Sequence, residues 1–383
     1  MSERASEPVS MSERASEPVS MSERASEPVS GRLRVAVVGL GIGQLHARAW
    51  RKLPEHAELV AVFDVDPAKA SAAARRWDVA ALAGLGEVLA RDDIDVVDLC
   101  TPPSLHDEQV RAVLVAGCHV VCEKPLVGSL AAVDGLAEAE AASGRQLMPI
   151  FQYRFGHGLQ KVKHLVDSGV AGSGHTTSVD VAWRRRADYY AEPWRGLWAT
   201  ELGGVLLSHA LHALDMLTYI AGPVHRAFAR TTTRVNPIEV EDCAALSLEL
   251  ADGSLATLSA TLGSSDEITR HRFCFTELSA ESNPSAYANS GEPWTITPDS
   301  PEAEARIAEA LADFALLPEG YVGQFQRFAE ALRDGTDPPV TVADARNSIE
   351  LITALYVSAR EGRDVVLPLP TDDPAYQGWV TST

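Results

Sequence analysis

One segment of the sequence carries chemically versatile polar residues on an otherwise apolar background. If residues 201–222 form a helix, four polar side chains lie within about 60° of His212 around its axis: Ser208, His209, Asp215 and Tyr219. Leucine fills most of the remaining circumference. A solvated helix face usually carries Lys and Glu rather than His and Ser, so we interpret this polar stripe as the lining of a site. A solvated surface is the alternative interpretation.

A metal site is the weaker interpretation of the same stripe. His209, His212 and Asp215 offer ligand atoms, but the segment lacks the HExxH spacing of a helical zinc site. The five cysteines of the chain are scattered and form no CxxC pair, so we expect reduced, mostly buried thiols. The sequence therefore predicts no metal.

A lysine directly follows a run of apolar, β-branched residues. Glu123, Lys124 and Pro125 come after residues 119–122, which have the pattern of a buried strand. The predicted strand order places this position near the switch point at which doubly wound folds bind ligands. An ammonium group there could stabilise charge that develops on a substrate oxygen. An ordinary surface charge is the alternative.

A glycine-rich loop offers a place for a dinucleotide. Gly39, Gly41 and Gly43 lie between a predicted strand and a predicted helix, where the backbone can approach a pyrophosphate. The loop departs from GxGxxG, because Gln44 occupies the sixth position. Asp64 ends the next strand and could accept both ribose hydroxyls, which would disfavour a 2′-phosphate. A simple turn residue is the alternative for Asp64.

The glycine loop, Asp64 and Lys124 can meet at one edge only if the first part of the chain forms a parallel sheet. Short β-branched runs alternate with helical stretches over residues 32–150. Asp66 followed by Pro67 predicts the start of one helix. Ser104 with Asp107 predicts a capping box at the start of another. Repeated strand–helix–strand units imply an α/β domain, a doubly wound parallel sheet with helices on both faces.

Beyond residue 150 the pattern favours an α+β domain with an open, mainly antiparallel sheet. Five longer strand-like segments predominate: residues 175–185, 224–235, 240–250, 254–262 and 268–277. The step Ala251-Asp252-Gly253 predicts a hairpin. Apolar residues at helical spacing predict two closing helices, from Tyr321 to Leu332 and from Ile349 to Ala359.

The chain is thus expected to have three parts. Residues 1–30 repeat the polar decapeptide MSERASEPVS three times and have no apolar face to bury, so we expect an unstructured tail or an artificial addition. Residues 31–150 form the predicted dinucleotide-binding domain. Residues 151–383 form the predicted domain for substrate binding and oligomerisation, in which an exposed apolar sheet face should pair with a second copy as a homodimer or homotetramer.

Composition limits the partners of the protein. The 383 residues include 33 Lys and Arg against 53 Asp and Glu, a net charge of −20 that repels phosphate backbones. No apolar run approaches the roughly 18 residues of a membrane span, and the first residues lack the layout of a secretory signal. We expect a cytoplasmic protein that acts on a small molecule, with no nucleic-acid or membrane partner.

Six segments together resemble one known family. In chain order they are GLGIGQLHA, CTPPSLH, HVVCEKPL, WRGLWATELGGVLLSHALHALD, VEDCAALSLELADGS and PPVTVADARNSIELITALYVSAREGRDVVLPL. Over residues 32–368 the chain is similar to the glucose-fructose oxidoreductase, inositol dehydrogenase and rhizopine-catabolism family. The resemblance implies an NAD(P)-binding Rossmann domain, a second domain with an open antiparallel sheet, and dehydrogenation of a carbohydrate or cyclitol hydroxyl.

The resemblance also assigns roles to individual residues. Lys124 matches the lysine of the family's EKP motif, and His212 matches its catalytic histidine. The residues expected to bind the cofactor are Gly39, Gly41, Ile42, Gly43, Asp64, Thr101, Pro102, His106, Glu123 and Lys124. Aromatic and polar residues are expected to contact the substrate: Tyr153, Arg154, Tyr189, Tyr190, Trp194, Arg195, Ser208, His209 and Asp215.

Two positions depart from the family's pattern. Ser208 stands where Asp or Asn is usual, and His209 stands where Gln is common. A serine can hydrogen-bond a substrate hydroxyl but cannot orient His212 with a negative charge. We therefore expect a less basic His212 unless Asp215 or His209 takes over that role.

The predicted reaction is hydride transfer between a sugar-like carbinol and nicotinamide C4. His212 would act as general base and Lys124 would polarise the same oxygen. NAD is expected to be preferred because of Asp64, with NADP as an alternative. Two other functions stay open: a cofactor-retaining epimerase or hydrolase, and a nucleotide-binding sensor without turnover, against which intact Lys124 and His212 argue.

Overall fold

Two β-sheets organise residues 31–380, which a computed structural model describes. The decapeptide repeats, predicted to be unstructured, lie outside the described residues. The first sheet has six parallel strands in the order β3-β2-β1-β4-β5-β6. These strands are β1 (Leu33–Val38), β2 (Ala57–Phe63), β3 (Ala80–Ala81), β4 (Val96–Leu99), β5 (His119–Cys122) and β6 (Leu147–Pro149). Its helices are α1 (Gly43–Trp50), α2 (Pro67–Trp77), α3 (Leu85–Leu89), α4 (His106–Val115) and α5 (Leu130–Ser143).

The predicted doubly wound parallel sheet is confirmed, and its helix starts are mostly as expected. Asp66 caps α2 by accepting from the N–H groups of Ala68 and Lys69. The capping box predicted at Ser104 is wrong, because residues 103–105 form a 3₁₀ turn and α4 begins only at His106 without a side-chain cap. Pro102 and Pro103 hold the chain out of the α conformation at this point.

The second sheet has eight strands in the order β13-β12-β11-β7-β10-β9-β8-β14. They are β7 (Gly174–Arg184), β8 (Val224–Thr232), β9 (Cys243–Leu250), β10 (Leu255–Thr261), β11 (Gly263–Phe275), β12 (Leu278–Glu281), β13 (Thr295–Pro298) and β14 (Val365–Val366). The helices of this part are α6 (His157–Asp167), α7 (Trp198–Glu201), α8 (Leu211–Ala221), α9 (Pro301–Leu311), α10 (Gly320–Asp334) and α11 (Val342–Glu361).

The second sheet is mainly antiparallel, as predicted, with one parallel pair between β7 and β10. The hairpin between β9 and β10 is confirmed, with Gly253 at φ +86°. The strand predicted for residues 224–235 ends early at Thr232. The reason is Asp242, whose carboxylate accepts from the backbone N–H groups of residues 234–236 and bends the chain there.

One face of the second sheet is covered and the other is open. Helices α8 and α11 pack against the covered face. The open face was expected to be apolar, which is wrong, because its exposed residues are mostly small and polar. Examples from the three central strands are Thr176, Ser178, Ala245, Ser247, Thr257 and Ser259.

The two closing helices are confirmed, and they join the two parts of the chain. Helix α10 packs on α1, where the rings of Trp50 and Phe325 stack at 4.2 Å. Helix α11 packs on α5 as well as on β8. The boundary predicted at residue 150 falls between the two sheets and stays a prediction.

The helix predicted over residues 201–222 is interrupted. Helix α7 ends at Glu201, Leu202 adopts φ +67°, and a π-helical turn over Leu206–Ala210 leads into α8. Glu241 imposes the break, because its carboxylate accepts from the N–H groups of Gly204 and Leu206. A Cβ on Gly204 would lie 1.8 Å from the carbonyl oxygen of Glu241. The π turn rotates residues 206–210 away from the positions that a regular helix would give them relative to α8.

The segment 198–221 is long and apolar enough to cross a membrane by composition alone. However, 78% of its most apolar window is buried inside the protein. This burial is typical of the core helix of a soluble protein.

The contact between Gly204 and Glu241 predicts a large effect of a single methyl group. We expect Gly204→Ala to lower the free energy of unfolding by about 3 kcal/mol, because Glu241 cannot move away without breaking the hydrogen bonds that it accepts from the N–H groups of residues 204–206. Urea unfolding checks this. Gly86→Ala is the matched control. Gly86 lies in helix α3, and a Cβ at this position would meet no atom within 4 Å. Equal unfolding midpoints for both variants would contradict this account.

Candidate active site

The glycine loop between β1 and α1 has the shape of a nucleotide cradle. Gly39 has φ +89°, and a Cβ there would lie 2.6 Å from the carbonyl oxygen of Cys100. A Cβ on Gly43 would lie 3.0 Å from Val37 Cγ1, whereas one on Gly41 would meet nothing within 4 Å. Two glycines thus allow close packing, and the middle one leaves open space.

The free backbone groups of this loop fit a pyrophosphate. The N–H groups of Gly41 and Ile42 donate to no residue within 31–380, and they lie at the start of α1. The helix dipole favours negative charge at that end. The third glycine, Gly43, comes one residue earlier than in GxGxxG, and α1 begins at this residue. The turn is therefore shorter, but it keeps the N–H groups that could bind a pyrophosphate.

Asp64 ties this loop to the end of β2. Its Oδ2 accepts from the N–H group of Leu40 at 2.6 Å, and its Oδ1 accepts from the N–H group of Asp66 at 2.9 Å. Each carboxylate oxygen retains a second lone pair. The carboxylate can therefore serve the turn and still accept from ribose hydroxyls.

The segment after β4 contributes a structural histidine. His106 is fully buried, and its ring nitrogens lie 2.9 Å from the carbonyl oxygens of Thr101 and Pro125. Burial lowers the pKa of His106. The side chain holds the loops after β4 and β5 together, and so positions Thr101 and Pro102 at the carboxyl edge of the sheet.

A buried network of charges that sequence reasoning missed lies behind the lysine. His46 Nδ1 lies 2.9 Å from Asp98 and Nε2 lies 3.0 Å from Glu123. Trp50 donates to Asp98, and Tyr321 donates to Glu123. One weak signal of this network is visible in the sequence, since His46 and Trp50 lie four residues apart, on one face of α1.

The charges in this network stabilise one another. Burial alone would lower the pKa of His46, but the Asp98 carboxylate raises it well above its usual value. Burial alone would raise the pKa of Glu123, but the hydrogen bond and charge of His46 lower it to about 2. Glu123 is therefore an ionised carboxylate in the core, and its second oxygen accepts from the N–H group of Lys124.

Lys124 links the first sheet to the interrupted helix. Its Nζ donates to the carbonyl oxygen of Ser208 at 2.8 Å. Burial lowers the pKa of Lys124, and the nearby Glu123 carboxylate opposes that effect. The lysine thus crosses from the end of β5 to the polar stripe.

His212 faces the same region as a neutral ring. Burial lowers the pKa of His212 well below its usual value, and the charge of Lys124 lowers it further. Its Nδ1 is buried and has no hydrogen-bond partner in the described part of the chain. The ring of Tyr153 packs on it at 4.6 Å. Packing, rather than a carboxylate, therefore orients this imidazole.

Two residues predicted to contact the substrate are instead bound to each other. Arg154 is buried, and its Nε and Nη2 donate to Asp215 while its Nη1 donates to Asp344. Asp215 is thus committed to Arg154 rather than to His212. This ion pair fixes α8 against the turn at residues 152–155 and the start of α11.

A chain of hydrogen bonds fixes the state of His209. Arg185 Nε, which can only donate, lies 3.0 Å from His209 Nε2. The ring proton must therefore be on Nδ1, which donates to Ser208 Oγ at 2.7 Å, and the serine hydroxyl donates to Gly204 at 2.6 Å. Burial and the charge of Arg185 lower the pKa of His209 well below its usual value. His209 is therefore a neutral positioning residue.

Aromatic rings and two arginines surround this chain. Arg195 lies over the rings of Tyr189 and Trp194, at 3.9 and 4.2 Å from their centroids. The Tyr189 and Tyr190 rings meet edge to face at 5.0 Å. Three residues of this wall were not predicted, because they lie in or near sheet strands: Trp183, Arg185 and Tyr287.

Comparison with known proteins shows which family the chain belongs to. Residues 33–151 match the oxidoreductase family with an NAD-binding Rossmann fold, and residues 159–281 match the GFO/IDH/MocA C-terminal domain. The WlbA dehydrogenase from Chromobacterium violaceum, solved with NADH and UDP-GlcNAcA, is 30% identical with a TM-score of 0.80. That match covers 90% of this chain and 98% of the other.

Two further proteins are similar over most of their length. The WlbA dehydrogenase from Bordetella pertussis, also solved with NADH and UDP-GlcNAcA, is 27% identical with a TM-score of 0.79, covering 88% of this chain and 100% of the other. A D-apiose dehydrogenase from Paraburkholderia graminis is 27% identical over 368 residues, covering 92% of this chain and 93% of that protein.

Proposed function

Because this chain belongs to the GFO/IDH/MocA family of NAD-binding oxidoreductases, we propose that it transfers hydride between nicotinamide and a hydroxyl or ketone of a sugar or cyclitol. The observation that carries the proposal is the hydrogen bond from Lys124 Nζ to the carbonyl oxygen of Ser208, which brings the lysine to the helical segment that holds His212. The similarity to a D-apiose dehydrogenase supports a sugar as the substrate class.

The residues of the first domain fit the cofactor. The N–H groups of Gly41 and Ile42 would hold the pyrophosphate, and Asp64 would hold the adenosine ribose. When bound, the nicotinamide supplies the hydride acceptor or donor. The protein supplies the orientation and the proton chemistry.

The substrate hydroxyl must lose a proton as its carbon loses hydride. We assign that proton to His212 Nε2, because the pKa of this ring lies well below its usual value and keeps it neutral. The Lys124 ammonium donates to the same oxygen and stabilises the charge that develops there. The Glu123 carboxylate opposes the lowering of the pKa of Lys124 by burial and so favours the ammonium form. Arg154, Asp215 and His209 serve as positioning residues.

We expect Lys124→Ala and His212→Ala each to reduce kcat/KM by about 10²- to 10⁴-fold, since each removes a group from the reacting oxygen. NAD binding should stay nearly intact, because neither side chain is needed for the phosphates or the adenosine ribose. The measurement is the absorbance of reduced nicotinamide over a panel of sugars and cyclitols, with cofactor affinity measured in parallel.

Ser208→Ala is the matched control on the same stripe. Its hydroxyl donates to Gly204 and accepts from His209, so we expect only the cost of a neutral hydrogen bond, about 0.5–1.5 kcal/mol. Full activity of His212→Ala would overturn the proposed mechanism. A cofactor-retaining enzyme would bind and turn over substrate with no net change in nicotinamide absorbance.

We propose a preference for NAD over NADP. A 2′-phosphate would meet the Asp64 carboxylate, which the N–H groups of Leu40 and Asp66 hold in place. We expect NAD to bind at least about tenfold more tightly, which corresponds to about 1.4 kcal/mol, and Asp64→Asn to narrow the difference. A tighter dissociation constant for NADP in the unsubstituted protein would contradict the prediction.

We propose that the protein forms a homodimer or homotetramer through the open face of the second sheet. That face is covered by no helix in residues 31–380, and its central strands carry small side chains. Thr257 lies near its centre, paired with Ser247 on one side and with Ser178 on the other. Its small side chain permits close approach of a second sheet.

Light scattering checks this assembly. We expect a dimer or tetramer at micromolar concentration, and we expect Thr257→Arg to yield monomer, because it places a buried charge in the interface. Glu304→Arg changes an exposed residue of α9 and is the control, which should leave the assembly unchanged. A monomeric unsubstituted protein would contradict the proposal.

We also propose a cytoplasmic location. Cys100, Cys122, Cys243 and Cys274 are reduced thiols, and the first two are buried. Reduced thiols are typical of a reducing compartment.

A further inference from the structure

We propose that the sugar substrate carries an anionic group, a carboxylate or a phosphate ester, which Arg185 and Arg195 bind. The inference rests on the proposed function, since it concerns the substrate of the same site. It goes beyond that function because neither hydride transfer nor cofactor binding requires these two arginines.

Arg185 is held in place but only partly used by the protein. Its Nε donates to His209, and its Nη1 donates to Glu267, to Tyr287 and to a backbone carbonyl. Its Nη2 donates to no residue within 31–380. The guanidinium also packs on the rings of Trp183 and Tyr189, each at 5.0 Å. Six contacts therefore orient a guanidinium group that keeps one edge for a ligand.

Arg195 has even more unused hydrogen-bonding capacity. Its Nη1 donates to Tyr189 and to Glu201, at 3.4 Å from the latter. Its Nε and Nη2 have no hydrogen-bond acceptor among the described residues. Arg195 and Arg185 both pack on the ring of Tyr189, so one aromatic side chain holds the two cations beside each other.

A structural arginine in the same protein looks different. All three nitrogens of the Arg154 guanidinium donate to carboxylates, from Asp215 and Asp344. Burial of an arginine favours such complete pairing, because unpaired N–H groups lose their hydration. The side chains of Arg185 and Arg195 are 13% and 23% exposed, so their remaining N–H groups are open to solvent and available to an oxyanion in the fork geometry of guanidinium.

The two arginines belong to the same site as the reacting groups. The hydrogen-bond chain from Arg185 runs through His209 to Ser208, whose carbonyl accepts from Lys124. Both arginines are close enough to Lys124 to lower its pKa. An anion on the sugar would thus sit a few bonds away from the hydroxyl that reacts.

Carboxylates balance the basic side chains of this wall. Each basic residue has one carboxylate nearby: Glu123 beside Lys124, Glu267 on Arg185 and Glu201 on Arg195. The whole chain carries a net charge of −20, which repels an anionic substrate over long distances. An anionic group would therefore be held by the N–H groups that the two arginines leave unused, rather than by a local excess of positive charge.

Binding to the full-length protein saturated with NADH tests the inference by calorimetry. The probes are D-glucuronate with D-glucose, D-galacturonate with D-galactose, and D-glucose 6-phosphate. We expect at least one acidic probe to bind about ten- to a hundredfold more tightly than its neutral match, the range expected for hydrogen bonds to a charged group. A preference for the uronates assigns the charge to a carboxylate, and a preference for the 6-phosphate assigns it to a phosphate ester.

Arginine variants identify the groups responsible. We expect Arg185→Gln and Arg195→Gln each to reduce the acidic-to-neutral affinity ratio about tenfold. Arg186→Gln removes the same charge from the neighbouring exposed position and should keep the ratio. Equal affinity for every acidic and neutral pair, absence of saturable binding by all acidic probes, or a preference that survives both substitutions together would overturn the inference.

The outcome is separable from that of the proposed function. Net reduction of NAD by neutral sugars without any acidic preference would overturn the anion site and leave hydride transfer standing. Tight binding of an acidic probe that depends on Arg185 and Arg195, without hydride transfer to or from any sugar, would support the anion site and contradict the proposed function.

Discussion

A single hydrogen bond, from Lys124 Nζ to the carbonyl oxygen of Ser208, joins the two halves of the proposed site. The lysine comes from the edge of the parallel sheet, and the carbonyl comes from the π-helical turn before α8. Both partners need support from elsewhere in the chain. Glu123 and His46 provide the charge behind the lysine, and Glu241 sets the break that presents the turn.

The electrostatic design of the site follows from this contact. The buried Glu123 carboxylate favours the ammonium form of Lys124 in a place where burial lowers the pKa of that lysine. That ammonium, together with burial, keeps His212 neutral, and Arg185 does the same for His209. Cations and neutral imidazoles therefore share one wall, which suits the removal of a proton from an oxygen that develops negative charge.

The features that the sequence predicted correctly depend on local chemistry. The cap at Asp66, the hairpin at Gly253 and the alternation of the parallel sheet are each determined by residues a few positions apart.

The features that the sequence did not predict depend on distant partners. Leu206–Ala210 form a π turn because Glu241, in the loop before β9, occupies the space beside Gly204. Arg154 resembled a substrate contact until folding paired it with Asp215 and Asp344. The hydrogen-bond acceptor for Arg185 is likewise decided by tertiary structure, because β7 must end beside the turn for its guanidinium to reach His209.

The central claim is that Lys124 and His212 act on one substrate oxygen, and a double-mutant cycle tests it most directly. The measurement is kcat/KM for Lys124→Met, His212→Gln and the double variant, with NAD and the best sugar substrate. The account predicts strong non-additivity, with the double variant losing little more than the more damaged single variant. Losses that multiply would show that the two side chains act independently and would contradict the account.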